Sequence, residues 1–459
     1  MGGEWTLRPL KDCATWYSGG TPRKSRPEFW GGDIPWISAK SLHDFYINDS
    51  EDKVTELALG NGTRLAPTGA IMFVVRGMSL KSEFRLGITT RPVSFNQDVK
   101  ALVAKPDIDP SFLVYALKAK SSEILALVEE AGHGTGVLPT SVVQALEIPV
   151  PSLSEQKRVT ELFSALNTKI FLNRQTNQTL ESMAKALFKS WFVDFDPVID
   201  NALAAGNKIP EPLAAKAAAR CALREQGASN SKLPHTLPDN IRQLFPSRFQ
   251  FTEELGWIPE GWSVEPFGSV APHVRENVAA SEIGSKETYV GLEHIGRKRL
   301  FLERSGIGSD VESNKSKFKS GDLLFGKLRP YFHKVVLAGS SGICSTDILV
   351  FRAKDSAYRS FMALTAYRED FIAHANSCST GTRMPRASAK DMLAYEIAKP
   401  PRNVAEQFEA AVSPMWKKGY SGVAECKKLA GTRDALLPKI LSGELRIPTA
   451  EKELLDAMA

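Results

Sequence analysis

Residues 154–191 read SEQKRVTELFSALNTKIFLNRQTNQTLESMAKALFKSW, with no Gly or Pro among them. Two heptad stripes run through this stretch. One is Val159, Leu166, Asn173, Leu180 and Leu187; the other is Phe163, Ile170, Asn177, Ala184 and Trp191. Steps of four and then three residues mark the seam of a coiled coil. The pattern predicts one continuous helix, with Ser154 as its N-cap. At ~1.5 Å per residue it would be about 55 Å long, the length of a spacer more than of an ordinary globular helix. The plainer alternative is a core helix of one large domain.

The stretch recurs 249 residues later. The first stripe returns as Phe408, Met415, Gly422, Leu429 and Leu436, the second as Val412, Gly419, Cys426, Arg433 and Ile440. Glu155-Gln156 has its counterpart in Glu406-Gln407. The ends of the seam agree and the middle does not. Asn173 and Asn177 fall opposite Gly422 and Cys426, and a polar pair in a seam is expected to fix register at some cost in stability. Phe163, Ile170, Phe188, Trp191 and Phe192 exceed what one helix pair is expected to cover, so they are read as a subunit interface.

The repeat extends beyond the helices. EWTLRPLKDCA (4–14) resembles GWSVEPFGSVA (261–271). The apolar run GAIMFVVRG (69–77) matches GDLLFGKLRP (321–330), and NQDVKALVAK (96–105) matches STDILVFRAK (345–354). These are expected strands. Others are expected at 34–38 and 145–151, with a helix at 110–131. The turn GHGTGVLPTS (132–141) matches STGTRMPRAS (379–388). Residues 286–300 align poorly with the first half. Six prolines and a short Ala-rich helix (213–223) mark 196–255 as a partly ordered linker.

The expected fold is mixed α/β. Two globular domains are separated by two long helices that pair as an antiparallel coiled coil, in a pseudo-two-fold repeat. The boundaries are 1–151 for the first domain, 152–195 for the first long helix and 196–255 for the linker. The second domain is 256–401, the second long helix 402–445 and the C-terminal tail 446–459.

Composition narrows the function. A net charge of +6 permits nucleic-acid binding without demanding it. The five scattered cysteines form no CxxC pair, which fits a reducing compartment and argues against a zinc site. No apolar run reaches the ~18 residues of a membrane span, and no signal peptide is expected. There is no Walker loop, GxGxxG or HExxH. Asp194-Phe195-Asp196-Pro197 lacks the second Pro and the aromatic of an amino-methyltransferase motif, and Glu51-Asp52-Lys53 reads as a solvated turn. No catalytic or metal-binding residue is expected.

Basic and aromatic residues instead fall in matching places of the repeat. Lys40, Arg76, Lys81 and Arg85 lie in the first half. Lys327, Arg329, Tyr331 and His333 lie in the second, within a basic run that includes Arg297, Lys298, Lys315 and Lys334. The two matched turns add His133, Thr135, Arg383 and Arg386. Lys and Arg neutralise phosphates, and Arg also reads guanine in the major groove. These twelve are the candidate DNA-binding residues. The competing readings are an enzyme with an unrecognised nuclease or methyltransferase site, and a coiled-coil scaffold with no DNA role.

Three segments carry a family resemblance: FWGGDIPWISAKSL (29–42), EQKRVTELFSALNTKIFLNRQTNQTLESMAKALFKSWFVDFDPV (155–198) and GWIPEGWSVEPFG (256–268). The chain resembles the specificity subunit of type I restriction–modification systems, usually called HsdS, over nearly its whole length. Gly419, Gly422 and Pro438 in the second helix depart from the pattern. The resemblance implies a non-catalytic, cytoplasmic subunit with two target recognition domains, each reading one half of a bipartite, asymmetric site in double-stranded DNA. It implies helices that set the spacer and dock two modification subunits. S-adenosylmethionine, ATP and Mg would belong to the modification and restriction partners, and this chain would hold no cofactor.

Overall fold

The run 69–77 becomes the strand Ile71–Val74 with every residue buried, because it is the middle of a sheet covered on both faces. A computed structural model describes residues 5–131, 134–228, 237–381 and 384–458. The chain forms two compact units, one of residues 1–173 with 425–459 and one of residues 174–424.

In the first unit a five-stranded sheet has the order Ala14–Ser18, Val99–Ala104, Ile71–Val74, Leu86–Thr89, Tyr46–Ile47. Ala101 faces Met72, and Ile71 faces Ile88 in antiparallel pairs, while Tyr46 meets Ile88 in a parallel one. A four-stranded sheet contains the parallel pair Trp30–Ile37 and Val93–Phe95. Thr6–Pro9 pairs with Glu147–Val150. The expected helix at 110–131 is shorter: Pro110–Ala119, capped by the Asp109 carboxylate, is followed by Ser121–Ala126 and the strand Glu129–Ala131.

The second unit repeats these three sheets, with four strands where the first has five and five where it has four. Ile348–Phe351, Leu323–Gly326 and Val335–Leu337 form the antiparallel centre of one sheet, flanked by His273–Val274. A parallel bridge from Phe301 to Leu337 stands where Tyr46 meets Ile88 in the first unit. A second sheet holds the parallel pair Thr288–Val290 and Gly342–Cys344. Ser263–Pro266 pairs with Glu396–Lys399. The region 286–300, unmatched by sequence, therefore keeps the topology of its counterpart. Topology depends on which positions are apolar, and their identities can drift.

The long helices are Leu153–Phe192 and Arg402–Leu441, each of 40 residues. Both ends are displaced by the same 249 positions (402 − 153 and 441 − 192). The cap is Ser152, two residues before the expected Ser154: its Oγ accepts from the Glu155 amide at 3.4 Å and donates to the Glu155 carboxylate at 3.2 Å. Buried Gln156 anchors the helix start, accepting from the Asp109 amide at 2.8 Å and donating to the Pro151 carbonyl at 3.0 Å. The helices pair antiparallel. In the first unit Asn167 meets Arg433 and Asn173 meets Glu425. In the second, Phe188, Trp191 and Phe192 surround Phe408. Gly419 has a packing reason: a Cβ there would overlap the Phe301 ring, so the residue that weakens the heptad lets that ring sit on the helix.

The subunit-interface expectation is overturned. Phe163 and Ile170 lie in the first unit's core beside Leu429 and Ile440. Phe188, Trp191 and Phe192 lie in the second unit's core with Phe361, Trp262 and Phe408. Their exposures run only from 0% to 6%. The residues that cover them are distant in sequence, so a count along one helix pair missed them.

Part of that cover comes from the segment expected to be a linker. Asp196–Ala204 and Ala214–Ala228 are helices, and Val198, Ile199, Ala202 and Phe245 are buried. Arg220 holds Asp200 and Asp196. Phe249–Thr252 and Gly256–Pro259 form a hairpin. Among the described residues no helix is long and apolar enough to cross a membrane.

Candidate nucleic-acid interface

The central strand of each unit ends in the same hydrogen-bond pattern. In the first unit the Val75 amide donates to the Asp98 carbonyl at 2.8 Å, and the Val75 carbonyl accepts from the Leu138 amide at 2.8 Å. In the second unit Lys327 takes the place of Val75: its amide donates to the Asp347 carbonyl and its carbonyl accepts from the Ala387 amide, both at 2.9 Å. This pattern pins each matched turn beside its strand end, where backbone and side chains can approach a ligand.

Around the first of these ends, Arg76–Gly77 pairs with Thr135–Val137, which pairs with Glu129–Ala131. Thr135 and Arg76 therefore share one small sheet. Lys81, at the end of the 3-10 turn Met78–Lys81, lies 3.1 Å from Glu130. Arg85 pairs with Glu83 at 3.0 Å and donates to the Ala39 carbonyl at 3.3 Å, which draws in the turn that carries Lys40. Lys40 itself sits 3.9 Å from Glu51. Arg76 is exposed and has no ion-pair partner among the described residues. Exposed Met78 stands two residues further along the chain.

At the second end, Lys327 and Arg386 both lean on Asp347, at 3.8 and 3.4 Å. The 3-10 turn Pro330–Phe332 follows, with Tyr331 52% exposed and its ring 4.8 Å from that of Phe332. The guanidinium of Arg297 lies 3.9 Å above the Phe332 ring, and that of Arg329 lies 5.8 Å away. Among the described residues, three of the four non-glycine residues with positive φ gather here: Lys298, Arg329 and His333. Left-handed backbone at such residues costs ~1 kcal/mol or more each and concentrates at functional turns. Hydrogen bonds across the turns hold it: the Lys298 amide donates to the His333 carbonyl at 2.9 Å, and the Arg329 amide to the Pro385 carbonyl at 2.7 Å.

His333 is a correction. It is 2% exposed, its ring 4.4 Å from that of Tyr367, and so it cannot touch a duplex. Burial holds its pKa below the usual histidine value, against the pull of the Glu369 carboxylate 3.6 Å away. Its place in the chain two residues from exposed Tyr331 hid this. Lys315 is also buried, bonded to the Ser313 carbonyl at 2.8 Å, and Lys334 donates to the Leu292 carbonyl. The basic run thus splits into engaged cations and a smaller free group. His133 and Arg383 lie outside the described residues.

A family model for the type I restriction modification DNA specificity domain matches residues 2–182. The type I restriction enzyme MjaIX specificity subunit of Methanocaldococcus jannaschii is 24% identical, over 97% of this chain and 94% of its own. The EcoR124I/EcoR124II specificity subunit of Escherichia coli is 33% identical, over 36% of this chain and 42% of its own. The crystal structure of a type I system S subunit from M. genitalium aligns with a TM-score of 0.48 and 14% identity, covering 95% of this chain and 96% of that one.

The chain is thus similar over nearly its whole length to a type I restriction enzyme specificity subunit, and its first 182 residues carry the match to the DNA specificity domain. The family match spans every candidate of the first unit and most of the first long helix. Two features of the second unit escaped sequence reasoning. Asp347 engages two candidate cations, although the aligned Asp98 in NQD and Asp347 in STD marked the position. The stacking of Arg297 on Phe332 had no sequence signal, since the two lie in different turns.

Proposed function

We propose that this chain is the DNA sequence-recognition subunit of a type I restriction–modification complex, without turnover of its own. It assembles with DNA and with the other subunits of that complex. Each unit reads one half of a bipartite, asymmetric target through the turns at the end of its central strand. The long helices set the spacer and dock two modification subunits. Those partners hold S-adenosylmethionine and methylate adenine. Restriction subunits, where they accompany it, use ATP and Mg, and the assembly works on chromosomal DNA in the cytoplasm.

One observation carries this reading. The same hydrogen-bond pattern places a loop cluster at the same strand end in two repeats of one topology, while the side chains on the two clusters differ. A repeated frame with different contact residues suits two different half-sites. The test is to replace residues 1–150 with the equivalent unit of a relative, together with the modification subunit, and to map methylated adenines. One half-site should change. A change in both would show that the units do not read independently, and a change in neither would favour a scaffold.

A further inference from the structure

We propose that Arg297 is a specificity-determining residue that reads a base of the second half-site, with Phe332 as the positioning residue that holds its plane. The inference rests on the DNA-reading role above and deepens it. The cations nearest the end of the central strand are the obvious candidates, yet Asp347 stands 3.8 Å from Lys327 and 3.4 Å from Arg386. A charge already balanced by a carboxylate contributes less to phosphate binding, and its donors are partly engaged. Lys298 is held by Glu369 at 2.9 Å.

Arg297 differs from these. It is exposed, and no hydrogen bond or ion pair reaches its guanidinium among the described residues. Its guanidinium centre lies 3.9 Å over the Phe332 ring. Stacking uses the flat face of a guanidinium and leaves its N–H edge available. A planar fork with free donors and a fixed plane has the chemistry that recognises O6 and N7 of guanine in the major groove.

The backbone supplies the second argument. Left-handed residues flank the stack on both sides: Lys298 follows Arg297, and Arg329 and His333 bracket the turn of Phe332. The hydrogen bond from the Lys298 amide to the His333 carbonyl ties the two turns together. Strain at non-glycine positions persists where surrounding structure enforces it, and it serves pre-organisation. Here it fixes the turn that carries the Arg relative to the turn that carries the ring.

The experiment uses the assembled complex with its modification subunits. The target is first taken from the methylated-adenine motif. Competition binding is then measured against duplexes substituted at each position of the second half-site. For the unaltered complex, one G·C position should discriminate by roughly 10- to 100-fold. Arg297→Ala and Arg297→Lys should both flatten that position and leave the first half-site unchanged. Phe332→Leu should weaken the same position, and Phe332→Tyr should keep it. Retention of full discrimination by Arg297→Ala would mean that another group reads this base and would overturn the proposal. Equal loss at every position, or no loss at any, would also overturn it. Replacing residues 256–401 as a block separates the two levels. If the block changes the second half-site and Arg297 variants do not, only this inference fails; if the block changes nothing, the DNA-reading role fails with it.

Discussion

Arg433 on the second long helix donates to the side-chain oxygen of Asn167 on the first at 2.7 Å, and Asn167 donates in turn to the Tyr115 hydroxyl at 2.9 Å. All three are buried in the first unit. This chain of polar groups sets the register of two otherwise apolar faces, because any slip would strand a buried charge.

Asn167→Ala should therefore destabilise the first unit by about 2–3 kcal/mol, since it leaves a buried cation and a buried hydroxyl short of partners. Tyr115→Phe removes only one end of the chain and should cost about 1 kcal/mol. Hydrogen exchange of peptides from 153–173 in the assembled complex measures both. Equal effects would show that the three groups do not act as a chain.

Charge removal at the second interface should separate engaged from free cations. Arg329→Ala should lower the salt slope of DNA binding by about one. Lys327→Ala should lower it by less, because Asp347 lies 3.8 Å away. Asp347→Asn should steepen the slope by releasing both Lys327 and Arg386. Binding measured across a salt series decides this, and unchanged slopes for all three variants would place this turn away from DNA.

His333 makes a pH prediction with a definite sign. Burial lowers its folded pKa, against Glu369 and with help from Lys298 and Lys185. Below ~6.5 the unfolded chain gains a proton that the folded chain refuses, so stability falls as pH drops through that value. Above it the group contributes no pH dependence. His273 and His294 are lowered by burial too and act in the same direction. Urea unfolding of the second unit between pH 5 and 8 should show the loss, and His333→Phe should reduce it (the range follows the histidine window). A slope identical to that of the unaltered protein would exclude His333 as a source.

The spacer proposal is tested with paired insertions. Asn173 is level with Glu425, so four residues added after Arg174 and four after Ala424 keep the helices in step. The added length is ~6 Å, and base pairs rise ~3.4 Å each. The half-sites in the methylated-adenine motif should move apart by about one or two pairs, with the bases read unchanged. A single insertion after Lys189 would instead drag Trp191 and Phe192 from their core. An unchanged spacer in an active complex would return the helices to a packing role.

The sequence by itself determined the elements whose signal is local and periodic. Both long helices, their shared displacement and the central strands Ile71–Val74 and Leu323–Gly326 follow from apolar spacing within a few turns of chain. The matched turns were legible too, because Gly and Pro punctuate them.

Only the tertiary structure decided what covers those elements and which charges are left over. A heptad shows that Phe188 and Trp191 face inward, but residues such as Phe361 and Trp262, far along the chain, complete their burial. The same holds for charge. Arg386 meets Asp347 across 39 positions, and His333 is buried although Tyr331, two residues before it, is exposed. Periodicity reports the direction of a side chain, whereas burial and ion pairing depend on the distance to groups that folding alone brings near.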